Sequence, residues 1–224
     1  MTPALVIFDC DGVLVDSEAI ANRIMAEHIT ATGIPIGYDD CRARFVGGTL
    51  QRVMDTVEEW LDRPLPPGWR EDFEARRNEA FRRELKAVPG VEEVLETLSA
   101  QGTAMCVASS GTVEKMELTL GLTGLKRFFG DRLFSAAMVA QGKPEPDIFL
   151  HAAEQMGYLP ETCLVVEDSP TGVTAAVAAG MRVLAYAAET DAEMLKAAGA
   201  QPFDAMAELL GLLGLDAELR ERAG

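Results

Sequence analysis

The segment Leu5-Val6-Ile7-Phe8-Asp9-Cys10-Asp11-Gly12-Val13-Leu14-Val15-Asp16-Ser17 constrains this chain more than any other. It begins as an apolar run of strand length, of the kind that fills a central strand buried on both faces. It stops at two aspartates one residue apart, followed by Gly12. Side chains alternate faces along a strand, so Asp9 and Asp11 are expected to project together from its carboxyl end. Open α/β sheets keep their ligands at that end. Two carboxylates forced together repel unless one is protonated or a cation lies between them. An acidic turn is the plainer reading of an isolated D-x-D, but here the run reads D-x-D-G-x-L-x-D-S directly after an apolar strand.

The rest of the chain falls into two patterns. Ile20, Ile24, Met25 and Ile29 recur at helical spacing and predict a helix over 17–32, capped by Ser17 and ended by Gly33 and Pro35. Leu50, Val53, Met54, Val57, Trp60 and Leu61 predict a second helix, and a charged third covers 69–85 after Pro64, Pro66, Pro67 and Gly68. No strand signal interrupts this segment. After Val88-Pro89-Gly90, helices (91–100, 113–121, 146–156, 170–179 and 203–213) alternate with strands (104–108, 133–135, 163–166 and 182–186). Repeated βα units predict a parallel sheet with helices on both faces. The expected fold is therefore α/β: a Rossmann-like parallel-sheet core, residues 1–16 and 88–224, carrying a small inserted α-helical domain, residues 17–87. The tail 216–224 is expected to be exposed.

Three later stretches land where Asp9 and Asp11 do, at the carboxyl ends of core strands. Cys106-Val107-Ala108-Ser109-Ser110-Gly111-Thr112 ends a strand in hydroxyls and glycine before a helix, which offers free N–H groups and a hydroxyl to an oxyanion. Helix capping by Ser110 or Thr112 explains the same residues less specifically. In Gln141-Gly142-Lys143-Pro144-Glu145-Pro146-Asp147 a stiff backbone aims a lysine, whose point charge suits phosphate and nearby carboxylates. Leu164-Val165-Val166-Glu167-Asp168-Ser169-Pro170 places paired acids before a helix that Ser169 caps and Pro170 opens, a fit for a hard cation.

Taken in order, the four stretches resemble the four motifs of the haloacid dehalogenase-like superfamily of phosphatases and phosphomutases, and the resemblance spans essentially the whole chain. It implies that Asp9 is the nucleophile, forming an aspartyl-phosphate, and that Asp11 is general acid and then general base. It implies Mg2+ on the Asp9 carboxylate, the Asp11 backbone carbonyl and Asp168, with Glu167 beside it. Ser109 and Lys143 would hold the phosphoryl oxygens, helped by the N–H groups of Gly12 and Ser110. The inserted helical domain would act as a cap, with Glu18, Arg44, Gly47, Gly48 and Thr49 bearing on substrate choice.

Departures narrow the group. An acid at Asp11 is absent from true haloacid dehalogenases. The beta-phosphoglucomutase group carries a histidine and an arginine where this chain has Ala21 and Leu50, which favours a hydrolase over a phosphomutase. The phosphonatase lysine also fails, because Lys86 is the only lysine before Val88. The features F-D-C-D-G-x-L-V-D-S-E, R-F-x-G, M-C-V-x-S-x-G and K-P-x-P followed by F-x-H-A-A look most like sugar-phosphate phosphatases of the 6-phosphogluconate and 2-deoxyglucose-6-phosphate type. A non-catalytic binding protein on the same scaffold would typically lose Asp9, which is present.

Charge sets the class of partner. With 36 acidic against 20 basic residues, the net charge of −16 repels nucleic acid and anionic membranes. A small phosphorylated metabolite is the expected partner, on a monomer or weak homo-oligomer, and its site must be locally positive. The four cysteines (Cys10, Cys41, Cys106, Cys163) are scattered without metal-like spacing, and no apolar run reaches membrane-spanning length, so a cytoplasmic protein with reduced thiols is expected. Arg44 and Arg52 read more plainly as surface ion pairs than as contacts to a distal anion. His28 and His151 read as structural, and Trp60 and Trp69 as cap packing.

Overall fold

The apolar run after Pro3 forms β1 (Leu5–Phe8), whose four residues have no solvent exposure. It lies at the centre of a parallel sheet in the computed structural model, which describes residues 3–45 and 48–215. The strands run β3-β2-β1-β4-β5-β6, with β2 (Ala104–Ser109), β3 (Leu133–Ser135), β4 (Cys163–Glu167), β5 (Arg182–Tyr186) and β6 (Gln201–Phe203). The chain adds β2 and β3 on one side of β1, then crosses to β4, β5 and β6 on the other. Strand order thus reverses at β1, and the crevice beyond Phe8 is the switch point where such sheets hold ligands. Phe8 is level with Val107 of β2 and Val166 of β4, and β2 runs two residues further to Ser109 and β4 one further to Glu167.

Alternation along β1 splits its side chains between two apolar layers. Leu5 and Ile7 join Cys106, Ile148, Phe149, Val165 and Val183 in one core. Phe8 meets Phe129 edge to face, ring centroids 6.1 Å apart. The helices of this unit are α5 (Val91–Ala100), α6 (Val113–Leu122), α7 (Lys126–Phe129), α8 (Asp147–Met156), α9 (Pro170–Ala178), α10 (Ala192–Ala197) and α11 (Glu208–Leu212). No helix among the described residues is long and apolar enough to cross a membrane.

The chain divides into two compact units, Met1–Val15 with Ala87–Gly224, and Asp16–Lys86. The second holds α1 (Glu18–Thr30), α2 (Tyr38–Phe45), α3 (Leu50–Leu61) and α4 (Trp69–Glu84). Ile20, Ile24, Ile29, Phe45, Val53, Val57, Trp69, Phe73 and Phe81 form its core. His28 is structural: one ring nitrogen lies 2.9 Å from the Trp69 carbonyl and the other 3.3 Å from an Arg76 guanidinium nitrogen. Burial lowers its pKa, in keeping with a neutral ring that donates at Nε2 and accepts at Nδ1.

Local differences from expectation have physical reasons. The predicted last helix, 203–213, shortens to Glu208–Leu212, and Gln201–Phe203 is an edge strand beside β5. Phe203, Met206, Leu209 and Leu213 are all buried, so the helical spacing was real but served a strand, a turn and a short helix. Pro202 is tolerated because the strand lies at the edge. Ser17 precedes α1 with helical backbone angles and gives it no side-chain cap. Helix α2 escaped notice because only Cys41 and Phe45 of its eight residues are buried. The tail 216–224 lies outside the described residues.

The joint from β4 to α9 is tightly fitted. Glu167 ends β4 with its side chain 1% exposed, and Oε2 accepts from the backbone N–H groups of Asp168 (2.8 Å) and Ser169 (2.9 Å) and from the Ser169 hydroxyl (3.0 Å). Ser169 in turn caps α9 by accepting from the Gly172 N–H at 3.1 Å. A Cβ at Gly172 would overlap the Glu167 carboxylate, which these bonds hold in place. Alanine in a helix is ordinarily favoured over glycine by about 0.8–1 kcal/mol. Here Gly172→Ala is expected to lower the denaturant midpoint instead, because a buried, fully bonded carboxylate must move. A stabilised Gly172→Ala variant in a urea titration would contradict this packing.

Candidate active site

Lys143 is the centre of the cluster beyond β1. Its ammonium lies 2.5 Å from Asp9 Oδ1 and 2.6 Å from Glu167 Oε1, and 3.4 Å from the Ala108 carbonyl at the end of β2. The stem runs over Phe149 of α8, with the nitrogen 5.0 Å from the ring centroid. Side-chain exposures of 6% for Lys143, 9% for Asp9 and 1% for Glu167 make this a buried ion triad. Loss of the lysine would leave two buried carboxylates with no counter-charge between them, and an uncompensated buried charge typically costs about 3–5 kcal/mol. The lysine is delivered by the turn before α8, where Asp147 Oδ2 accepts the Gln141 N–H at 3.2 Å.

The two carboxylates on Lys143 titrate in opposite directions. Burial pushes the Asp9 carboxyl up to about 7; Lys143 works against this, and the charges of Glu167 and Asp11 add to it. Burial also penalises Glu167, but the Lys143 charge and the Ser169 and Asp168 N–H groups more than offset it and hold its pKa below the usual range. Burial disfavours the Lys143 ammonium as well, yet Asp9 and Glu167 keep it firmly protonated. Asp9 is therefore the carboxylate short of positive charge.

The other expected core residues line the same edge. Ser109 is 1% exposed at the end of β2, and its Oγ accepts the Gly111 N–H at 3.0 Å. The Ser135 hydroxyl donates to the Gly111 carbonyl at 2.7 Å and fixes this loop. Ser110 is exposed beside it. Gly12 has φ +77° and its N–H bonds the Val15 carbonyl at 2.9 Å. A Cβ there would overlap the Asp168 carboxylate, so the fourth stretch closes directly on the first.

Sequence reasoning missed Lys115. Its ammonium lies 2.8 Å from both carboxylate oxygens of Asp11, with the two side chains 18% and 19% exposed. The signal was the placement of a lysine one turn into α6, directly after the Ser109 loop. Glu167, expected beside a metal, has both oxygens engaged, one on Lys143 and one at the start of α9.

The expected specificity residues belong to the helical unit. Glu18 opens α1, and Thr49 caps α3 by accepting the Arg52 N–H at 3.3 Å. Gly48 donates its N–H to the Phe45 carbonyl at 3.0 Å, and Gly47 lies outside the described residues. Arg44, expected in a surface ion pair, lays its guanidinium over Trp60 at 5.0 Å from the ring centroid, and no ion pair is described for it among the described residues. Trp60 is 37% exposed, which makes its face available as a partner. Ala21 and Leu50 pack against the core of this unit.

The donor set suits Mg2+, the cofactor the family resemblance implies. The acidic side chains of the cluster are all carboxylates, the hard oxygen ligands that Mg2+ takes. In this arrangement no three acidic side chains among the described residues form a metal-ligand group, since Lys143 and Lys115 hold Asp9, Glu167 and Asp11.

A stability test follows from Asp9. Its folded pKa lies above the unfolded value, so the folded protein keeps a proton that the unfolded chain has lost. Stability therefore falls as pH rises from about 4 to about 7, and the full cost persists above that window. Asp9→Asn removes this cost and is expected to raise the Tm of the metal-free protein at about pH 8, with a smaller gain at about pH 5. A lower Tm for Asp9→Asn at the higher pH would show that the triad stabilises through Asp9.

Residues 3–180 match the family described as haloacid dehalogenase-like hydrolase. The chain is 34% identical over 187 residues to 6-phosphogluconate phosphatase of Escherichia coli K12, covering 82% of each chain. A haloacid dehalogenase family hydrolase from Deinococcus radiodurans R1, solved with bound phosphate and sodium, superposes with a TM-score of 0.78 at 31% identity, covering 96% of this chain and 97% of that one. A putative beta-phosphoglucomutase from Thermotoga maritima gives 0.77 at 28% identity, covering 94% and 98%. The four strand-end stretches and their shared crevice thus have a family, and this chain belongs to the haloacid dehalogenase-like hydrolases.

Proposed function

We propose that this chain is a Mg2+-dependent phosphatase of small phosphorylated sugars that works through an aspartyl-phosphate on Asp9. The observation that carries the reading is the Asp9 carboxylate at the sheet's switch point, bonded to the buried Lys143 ammonium. An Asp9 oxygen attacks phosphorus and the bond from phosphorus to the ester oxygen breaks. Asp11 gives its proton to that oxygen, and the sugar leaves as an alcohol. Water then attacks the same phosphorus and passes a proton to Asp11. The bond to Asp9 breaks, and inorganic phosphate is released. Lys143 and Ser109 hold phosphoryl oxygens through both steps, with the N–H group of Ser110; the Gly12 N–H, expected to help, is instead taken by the Val15 carbonyl. Asp9, the Asp11 carbonyl and Asp168 would hold Mg2+, with Glu167 beside them and anchoring Lys143. When bound, the ion supplies positive charge that offsets the phosphoryl group against these carboxylates.

A sugar phosphate is favoured as substrate by the identity with 6-phosphogluconate phosphatase. Hydrolysis is favoured over phosphoryl migration by Ala21 and Leu50, whose apolar side chains pack inward where a mutase is expected to carry histidine and arginine. The test is phosphate release with Mg2+ across sugar phosphates, phosphoglycolate and nucleotides. Asp9→Asn is expected to lose on the order of 10³-fold or more in turnover with the fold intact, and chelation to abolish a rate that added Mg2+ restores. Turnover that survives either change overturns the mechanism. Isomerisation of beta-glucose 1-phosphate without net release would make the protein a phosphomutase.

A further inference from the structure

The Lys115–Asp11 pair is built more firmly than a surface ion pair. Both oxygens of Asp11 meet the same ammonium at 2.8 Å, and both side chains are largely enclosed. The backbone of Lys115 is pinned, because its N–H donates to the Thr112 hydroxyl that caps α6, at 3.2 Å. Its stem crosses Gly111, where a Cβ would stand 3.3 Å from Lys115 Cδ, 3.4 Å from Ser109 Oγ and 3.8 Å from Asp11 Oδ2. A side chain at Gly111 would press on the lysine stem. That glycine is itself held by Ser135 and Ser109. Lysine, glycine and aspartate thus form one fitted group at the edge of the crevice.

We propose that Lys115 is a positioning residue for Asp11, fixing its carboxyl group beside the ester oxygen through the reaction cycle. This rests on the phosphatase reading above. Two oxygens share the ammonium, so one oxygen keeps Lys115 while the other carries the proton to the leaving group. The carboxyl group need not swing as the proton comes and goes.

Leaving groups separate these roles. The constant kcat/KM covers every step through departure of the alcohol. A sugar alkoxide needs the proton from Asp11, whereas p-nitrophenolate departs without one. Lys115→Met is therefore expected to lose on the order of 10-fold in kcat/KM on the best sugar phosphate and under about 3-fold on p-nitrophenyl phosphate. Lys115→Arg, which keeps a two-pronged cation, is expected to recover most of the loss. Gly111→Ala, which presses on the lysine stem, is expected to show the same selectivity with Lys115 still present. In an Asp11→Asn background, Lys115→Met should add nothing further. Equal losses on both substrates, no loss on either, or additive losses in the double variant would each overturn the proposal. The phosphatase reading fails separately, if the unaltered protein releases no phosphate or Asp9→Asn stays active.

Discussion

The buried Lys143 ammonium, shared by Asp9 and Glu167, is the interaction on which this structure turns. It ties three elements across the sheet: β1 through Asp9, β4 through Glu167, and the turn before α8 through the lysine itself. Charges at that depth are costly to leave unpaired, so each element fixes the others. The triad is also unequal. Glu167 gains three further donors at the start of α9, while Asp9 faces Glu167 and Asp11 with only part of one ammonium. Buried and with only part of one ammonium, Asp9 is therefore the carboxylate whose pKa rises.

Two glycines make that arrangement possible. Gly12 lets Asp168 close against the first loop, and Gly172 leaves room for Glu167 beneath the first turn of α9. Neither is there for a turn alone. Both are places where a carboxylate occupies the volume a side chain would need. Oriented charges that need not rearrange are what phosphoryl transfer asks of a protein.

The sheet and its strand-end stretches were legible because their signals are local. A fully buried strand reads as an apolar run, and D-x-D-G, S-S-G and E-D-S-P each sit at the end of one, whereas G-K-P lies several residues beyond β3, on the turn before α8. What escaped was set by contacts between distant segments. Lys115 and Asp11 are 104 residues apart, and the one local signal, a lysine soon after the Ser109 loop, does not name its partner. Gly172 looked like an ordinary helix residue until Glu167 was found beneath it. The edge strand at Gln201–Phe203 hid inside helical spacing, because its apolar residues are buried by neighbours and not by one continuous helix. Arg44 reads as a surface charge until Trp60, 16 positions on, supplies an aromatic face.

The charge of the whole chain gives the last constraint. At −16 its field opposes the approach of a phosphate ester, and no long-range steering brings such an anion in. In cellular salt that repulsion fades beyond about 8 Å. Attraction must then come from groups at contact range in low dielectric, where each charge acts far more strongly than at the surface. The core unit has two such ammonium groups at its strand ends, and both are already bonded to carboxylates. An arriving phosphoryl group must compete with Asp9 and Glu167 for Lys143. That competition is met most simply if the Asp9 carboxylate is taken by a cation as the phosphoryl group takes the lysine.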